Sequence, residues 1–263
     1  MTVSTRSADQ CDIPFECGET LVDVRDGQEY KTVQIENQCW MAENLRYVGE
    51  GENSCLTSGS YESCNLAEWN DGTYSSCCVH NSDTLSESEG PFRDWDEMQV
   101  LYQWGAAVDF NSYINSGREL PYDEDELEAI FEGAQGMCPK GWVVPTNDDW
   151  RVVVLSIDSD PDREEEREVS GWYYWCRGAT TGKMLKSKQY WNGDDNFGFN
   201  GLPTGYSINN YELYDIGDYT SYWTSTLHET TTGWWFGLSN SSDCIDYGYE
   251  GLKNGNSIRC IKR

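Results

Sequence analysis

The sequence predicts an α+β fold in which short antiparallel strands combine with two helices and long loop insertions. Three observations point to it. In Gly233-Trp-Trp-Phe-Gly-Leu238, Trp234, Phe236 and Leu238 fall on one face and Trp235, Gly237 and Ser239 on the other, the two-residue period of a strand with one core face. Helical spacing is confined to two segments in the middle of the chain. Finally, 12 Trp and 17 Tyr in a chain with few long apolar runs imply short strands and loops fastened by aromatic anchors.

From the N-terminus, the turn signal Asp26-Gly27 precedes Tyr30-Lys-Thr-Val-Gln-Ile35, where Val33 and Ile35 alternate with polar neighbours; this reads as a hairpin feeding a strand. From Val48 to about Pro91, Gly, Ser, Asn and Cys occur without periodicity, so the segment reads as a long surface insertion. Asp123–Met137 carries acidic residues first and then Leu127, Ile130 and Phe131 at helical spacing, an amphipathic helix with a favourable N-terminal charge. Thr146, with Asp149 three residues on, opens a second helix whose stripe is Trp150, Val153 and Val154. The run IDSDPDREEERE from Ile157 to Glu168 reads as a charged, solvated excursion. After Gly193 the pattern turns to strands and loops, with strands expected at Ser221–Thr226, Gly233–Leu238 and Ser257–Ile261. No repeat and no low-complexity linker divides the 263 residues, so one elaborated domain is expected.

Eighteen Lys and Arg against 46 Asp and Glu give a net charge of -28, which repels phosphate backbones and anionic headgroups. Nucleic acid is therefore not an expected partner, and no apolar stretch is long enough for membrane insertion. Met1–Gln10 lacks the apolar core of a signal peptide, so export would use another route or a leader absent from this sequence. Eleven cysteines include Cys11, Cys17, Cys55, Cys64, Cys77 and Cys78 within the first eighty residues, where local disulfide staples are expected. A zinc site from Cys77, Cys78 and His80 with Cys55 or Cys64 would lack the usual paired C-x-x-C spacing.

Catalytic constellations are scarce. The two histidines are His80 and His228, and no G-x-S-x-G elbow accompanies them. Asp194 and Asp195 sit in a Gly/Asn-rich turn, where hydrogen bonding to their own backbone accounts for them better than glycosidase chemistry. The acidic run at 158–168 opens like a calcium loop but has Arg163 where Gly is needed and Val169 in place of the bidentate Glu. No cofactor, catalytic residue or metal ligand is expected.

The blocks Asp26–Val33, Trp40-Met-Ala-Glu-Asn-Leu45, Leu101-Tyr-Gln-Trp-Gly-Ala-Ala107, Cys138-Pro-Lys-Gly-Trp142, Pro145-Thr146 to Trp150, Asn196-Phe-Gly-Phe-Asn-Gly-Leu-Pro203, Tyr222–Thr226 and Ser257–Cys260 resemble the Fibrobacter succinogenes major paralogous domain. At position 143 that family's pattern has a histidine where this chain has Val143, so any role of that histidine is lost. The resemblance implies a C-type-lectin-like fold of the formylglycine-generating-enzyme-like subtype, spanning 1–263 with insertions near 49–98, 110–136 and 157–178. Such domains also look like the variable proteins of diversity-generating retroelements, in which adenines of asparagine-type codons are substituted. Those substitutions never yield Lys, Glu, Gln, Trp or Met, and Phe236–Tyr249 contains none of the five. The sugar-binding Trp-Asn-Asp group of C-type lectins occurs here as Trp69-Asn70-Asp71, far in sequence from the last strands that carry it in those proteins.

The resemblance thus implies a non-catalytic receptor or display protein at a cell surface, secreted or on a virion, binding a protein or glycan ligand through a variable region at 220–263. Tyr247 and Tyr249 are the expected anchors, since Tyr gives contact area at low entropy cost. Leu227, His228, Trp235, Gly237, Ser239, Ser241, Asp243 and Asp246 would surround them. Two alternatives stay open: a copper enzyme of the formylglycine-generating kind, using Cys244 and Cys260, and a structural surface protein without a dedicated ligand.

Overall fold

The computed structural model describes residues 15–49, 78–80, 100–110, 113, 116–118, 121, 123–158, 160, 163–169, 172–208 and 212–263. A hairpin opens the described chain, β1 (Leu21–Val22) against β2 (Glu29–Tyr30). At its turn Gly27 has φ 77° and donates to the Asp23 carbonyl at 2.7 Å, a backbone shape that glycine adopts without strain. The next hairpin pairs β3 (Thr32–Ile35) with β4 (Gln38–Met41). Short strands β5 (Cys78–His80) and β6 (Val100–Tyr102) pair with each other, and β6 leads into the single-turn helix α1 (Trp104–Ala107).

Both expected helices form. In α2 (Glu124–Phe131) the Asp123 side chain accepts from the backbone N–H of Glu126, and Leu127 and Phe131 are buried. After β7 (Trp142–Val143) comes α3 (Asn147–Ile157), with the reciprocal Thr146/Asp149 capping box. Asp149 does more than cap. Its carboxylate also accepts from Arg263 at 2.6 and 2.8 Å and from Gln38 at 3.2 Å, fixing the helix start to β4 and to the residue that follows the last strand.

The expected solvated excursion is corrected here. Glu164–Glu166 are exposed, but Glu164–Val169 is a strand, β8, paired along its length with β9 (Trp172–Arg177). Backbone pairing at a sheet edge does not require apolar side chains, and edge charges block further strand addition. The segment read as an insertion at 157–178 therefore supplies two strands of the main sheet. Its opening carboxylate, Asp158, accepts backbone N–H groups of Asp160, Thr180 and Thr181. Of the stretch 49–98, only residues 49 and 78–80 fall within the described residues; Trp69-Asn70-Asp71, Cys55, Cys64 and Cys77 lie outside them.

Helix α4 (Thr181–Leu185) and the hairpin β10 (Tyr206–Ile208) and β11 (Glu212–Tyr214) precede the long strands β12 (Tyr219–Glu229), β13 (Thr232–Ser239) and β14 (Ile245–Gly251). The last strand, β15, is Ile261–Lys262 rather than Ser257–Ile261; Ser257 and Ile258 instead bond to Ser221, Trp223 and Leu45 as irregular backbone. Two sheets organise the molecule, a five-stranded one ordered β12-β13-β14-β9-β8 and a four-stranded one ordered β3-β4-β15-β7. With antiparallel sheets and four helices among the described residues, the fold class is α+β.

Side chains alternate across the five-stranded sheet, so its two faces feed different cores. Tyr222, Phe236 and Tyr247 join Trp40, Trp150 and Phe199 on one side, while Trp223, Leu227 and Trp235 join Trp104 and Leu252 on the other. Trp150 is the centre of the first, 4.9 Å from Trp40, 5.5 Å from Tyr222 and stacked on Phe236 at 5.3 Å between ring centroids.

Candidate ligand-binding site

Strand β13 places Trp234 beside Tyr249 of β14, and β14 in turn places Tyr247 beside Trp175 of β9. Their rings form a ladder: Trp234 lies 5.6 Å from Tyr249 and 6.2 Å from Tyr247, and Trp175 lies 5.7 Å from Tyr247 and 6.1 Å from Tyr249. His228, near the end of β12, lies flat on Tyr249 with centroids 3.6 Å apart, while its Nδ1 is 3.1 Å from the Thr232 hydroxyl. The inner end of the ladder is clamped by Arg177. Its guanidinium sits 4.6 Å from the Tyr247 ring centroid, donates to that phenol at 3.2 Å and pairs with Glu164 at 3.2 Å. The outer end is open, with Tyr249 44% exposed.

The ten expected contact residues divide three ways. Ser241, Asp243 and Tyr249 are exposed, and His228 is half-buried. Leu227, Trp235, Gly237, Ser239, Asp246 and Tyr247 are buried, which corrects the expectation that they face a ligand in the free protein. The physical reason is that both sheet faces are covered over the stretch that carries these six. Leu227 and Trp235 point into the core around Trp104. Gly237 and Asp246 are partners across β13 and β14, on the same side as Trp235. A Cβ at Gly237 would collide with the Tyr219 hydroxyl, so that glycine makes room for a ring. Tyr247 is held between Trp175, Phe236 and Arg177. Conversely Trp234, expected in the core, is only half-buried and belongs to the ladder.

The exposed residues are not contiguous. His228, Trp234 and Tyr249 lie at the β12–β13 turn end of the sheet, whereas Ser241 and Asp243 lie in the loop at the opposite end of β13. That loop is held from within. The buried Lys186 ammonium donates to the carbonyls of Ser239 at 2.8 Å and Ser242 at 2.7 Å, and Cys244 is disulfide-bonded to Cys176. Burial lowers the Lys186 pKa, with Asp243 and Asp246 opposing that shift. Nothing in the local sequence marks Lys186 as internal; the carbonyls that satisfy it come from residues more than fifty positions away.

The sequence profile of the Fibrobacter succinogenes major domain (Fib_succ_major) matches residues 33–262. The chain belongs to this family. Comparison with curated proteins and with solved structures returned no match. Several of the blocks that carry the Fib_succ_major resemblance converge on a framework. Cys138 is disulfide-bonded to Cys260, joining two of them. The fully buried Arg259, in the same block as Cys260, donates to Asn44 at 2.7 and 3.1 Å and to the Phe199 carbonyl, joining two more. Cys244 and Cys260, the pair a copper site would use, are bonded to different partners. Asp195 takes φ 41° and its carboxylate accepts from the Asn200 backbone at 2.8 Å, as expected of a turn residue. Of the early cysteines, Cys17 pairs with Cys39 rather than with a neighbour in the cysteine-rich stretch. The zinc ligands considered above lie outside the residues whose side chains are described.

Two features escaped sequence reading. Trp175 and Arg177 complete the ladder from a segment taken as an insertion, although Trp172-Tyr-Tyr-Trp175 is an aromatic run of strand-like composition. On the opposite face, Glu250 is half-buried and accepts from the side-chain amides of Asn254, at 2.8 Å, and Asn256. Burial pushes its carboxyl up to about 7 despite these two hydrogen bonds.

Proposed function

We propose that this Fib_succ_major chain is a non-catalytic receptor or display protein with a C-type-lectin-like fold of the formylglycine-generating-enzyme-like subtype. It engages a protein or glycan ligand through the open end of the aromatic ladder. The observation that carries this reading is the exposed Tyr249 ring stacked on His228 and backed by Trp234 and Trp175. A flat aromatic face whose orientation is set in advance can pack on a sugar ring or an apolar side chain with little ordering cost on binding. Diversification by a retroelement is supported by the residue palette of Phe236–Tyr249. Within it Asn240, Ser241, Asp243 and Tyr249 are exposed, so substitutions there leave both cores intact. A near-copy of the DNA encoding 220–260 beside a reverse transcriptase gene is the expected genomic signature.

Purified protein and its Tyr249→Ala variant are applied to a printed glycan array and to intact bacterial cells. Binding by the parent with about 30-fold loss in a normally folded variant, equivalent to roughly 2 kcal/mol, supports the ladder as the contact surface. Equal binding by both proteins rejects it.

A further inference from the structure

The face of the five-stranded sheet opposite the ladder carries a second constellation. Along β14, Asp246, Gly248 and Glu250 point to that face, paired across β13 with Gly237, Trp235 and Gly233. Gly248 is the floor: a Cβ there would lie 3.0 Å from Cζ2 and 3.4 Å from Cε2 of Trp235, and 3.5 Å from the Tyr174 Cβ. The indole edge bearing Nε1 thus lies over Gly248, midway along β14 between Asp246 and Glu250. That Nε1 is buried and has no hydrogen-bond partner, while Trp235 as a whole is 9% exposed. Tyr174 and Tyr219 flank the indole, each with its centroid 6.3 Å away, and Tyr206 meets Tyr219 edge-on at 5.8 Å. Tyr174, Tyr206, Tyr219 and Glu250 are all half-buried, so the rim of the constellation meets solvent, with the Trp235 indole beneath it.

We propose that this cluster is a binding site for a small organic cation bearing a hydroxyl, with Glu250 as the counter-charge, the rings of Tyr174, Trp235 and Tyr219 as its aromatic contacts, and Trp235 Nε1 as donor to the ligand oxygen. Aromatic faces attract quaternary and primary ammonium groups through the ring quadrupole, and an adjoining carboxylate selects the cation over a neutral molecule. The charges around Glu250 agree. Tyr206 and Tyr219 are pushed up first by burial and then by negative neighbours, Asp215 and Glu250 for Tyr206 and Asp246 for Tyr219. No lysine, arginine or histidine among the described residues offsets the shift at Glu250, where only the amides of Asn254 and Asn256 oppose burial. Lys186 acts on Asp246, farther along the strand. A buried indole N–H without an acceptor is a group that a ligand oxygen can satisfy. The site lies across the sheet from the ladder and does not depend on it.

The probe is choline, whose charge is independent of pH, compared with its neutral isostere 3,3-dimethylbutan-1-ol. Titrations followed by calorimetry and by tryptophan fluorescence are run on the full chain and on Glu250→Gln, Trp235→Phe and Tyr249→Ala variants, with thermal midpoints recorded for each. Saturable choline binding is expected, at least tenfold tighter than the isostere. It should weaken at least tenfold in Glu250→Gln and several-fold in Trp235→Phe, which keeps an aromatic ring but lacks the indole N–H, and stay unchanged in Tyr249→Ala. Choline affinity of the parent should rise with pH through about 7 as Glu250 ionises, and Glu250→Gln should lose that rise. Capture of phosphatidylcholine vesicles that requires Glu250 would assign the cation to a lipid headgroup, and binding of free choline alone to a solute. Equal binding of choline and its isostere, no saturable choline binding by the parent, or undiminished binding by a folded Glu250→Gln variant overturns the proposal.

Discussion

Tyr247 and Tyr249 offer an internal control, because the same substitution two residues apart on one face of one strand should have unequal consequences. Tyr247 is 9% exposed and wedged between Trp175 and Phe236, each 5.7 Å away, under the Arg177 guanidinium. Truncating a buried aromatic of this kind costs about 3–5 kcal/mol, the lost transfer energy plus the cavity left behind. In a chain of this size each kcal/mol moves the thermal midpoint by about 2–4 °C, so Tyr247→Ala should melt roughly 6–20 °C below the parent. Tyr249 is 44% exposed and loses chiefly its stack on His228. One aromatic pair is worth about 1 kcal/mol, so Tyr249→Ala should fall by roughly 2–4 °C. Differential scanning calorimetry, with urea unfolding as a second measure, reads both variants. Equal depressions, or a larger one for Tyr249→Ala, would refute the assignment of Tyr247 to the core and Tyr249 to the surface.

Three further outcomes follow from the framework. Replacing Cys138 and Cys260 together by Ala removes a crosslink between residues 122 positions apart and should cost about 2–5 kcal/mol; peptide mapping without reductant should recover the Cys138–Cys260 and Cys176–Cys244 pairs. Glu250 has an ordinary value of 4.5 and a folded value of about 7, so between these the native state holds the extra proton and stability falls as pH rises. The loss should reach about 3 kcal/mol by pH 8 and vanish in Glu250→Gln, and a parent whose midpoint is flat between pH 5 and 8 would contradict it. Calcium and chelator should give the same thermal midpoint, because the Asp158 carboxylate at the head of the acidic run is already occupied by backbone N–H groups; a shift of many degrees would show a bound ion.

Local physics was legible wherever a few neighbouring residues suffice. Thr146 and Asp149 announced the start of α3 because a capping box is complete within four residues. The Asp26-Gly27 turn needed only a backbone position that glycine tolerates. Strand alternation in β13 correctly separated Trp234, Phe236 and Leu238 from Trp235, Gly237 and Ser239. Charge misled at β8, because Glu164–Glu166 carry the composition of a solvated loop while their backbone completes a sheet edge.

The sequence alone determined the family, the α+β class, the helix starts and the two sides of β13. Only the tertiary structure decided which of those sides is open. A two-residue period assigns neighbours to opposite faces but cannot say what lies above either one. In this protein Trp40 and Trp150 cover most of one face and Trp104 with Leu252 much of the other. The docking of Trp175 on Tyr247 and Tyr249, the burial of Lys186 and Arg259 against distant carbonyls and the Cys138–Cys260 and Cys176–Cys244 pairs all depend on contacts between residues more than fifty positions apart. No local pattern encodes those contacts, because burial is a property of the assembled chain rather than of any segment.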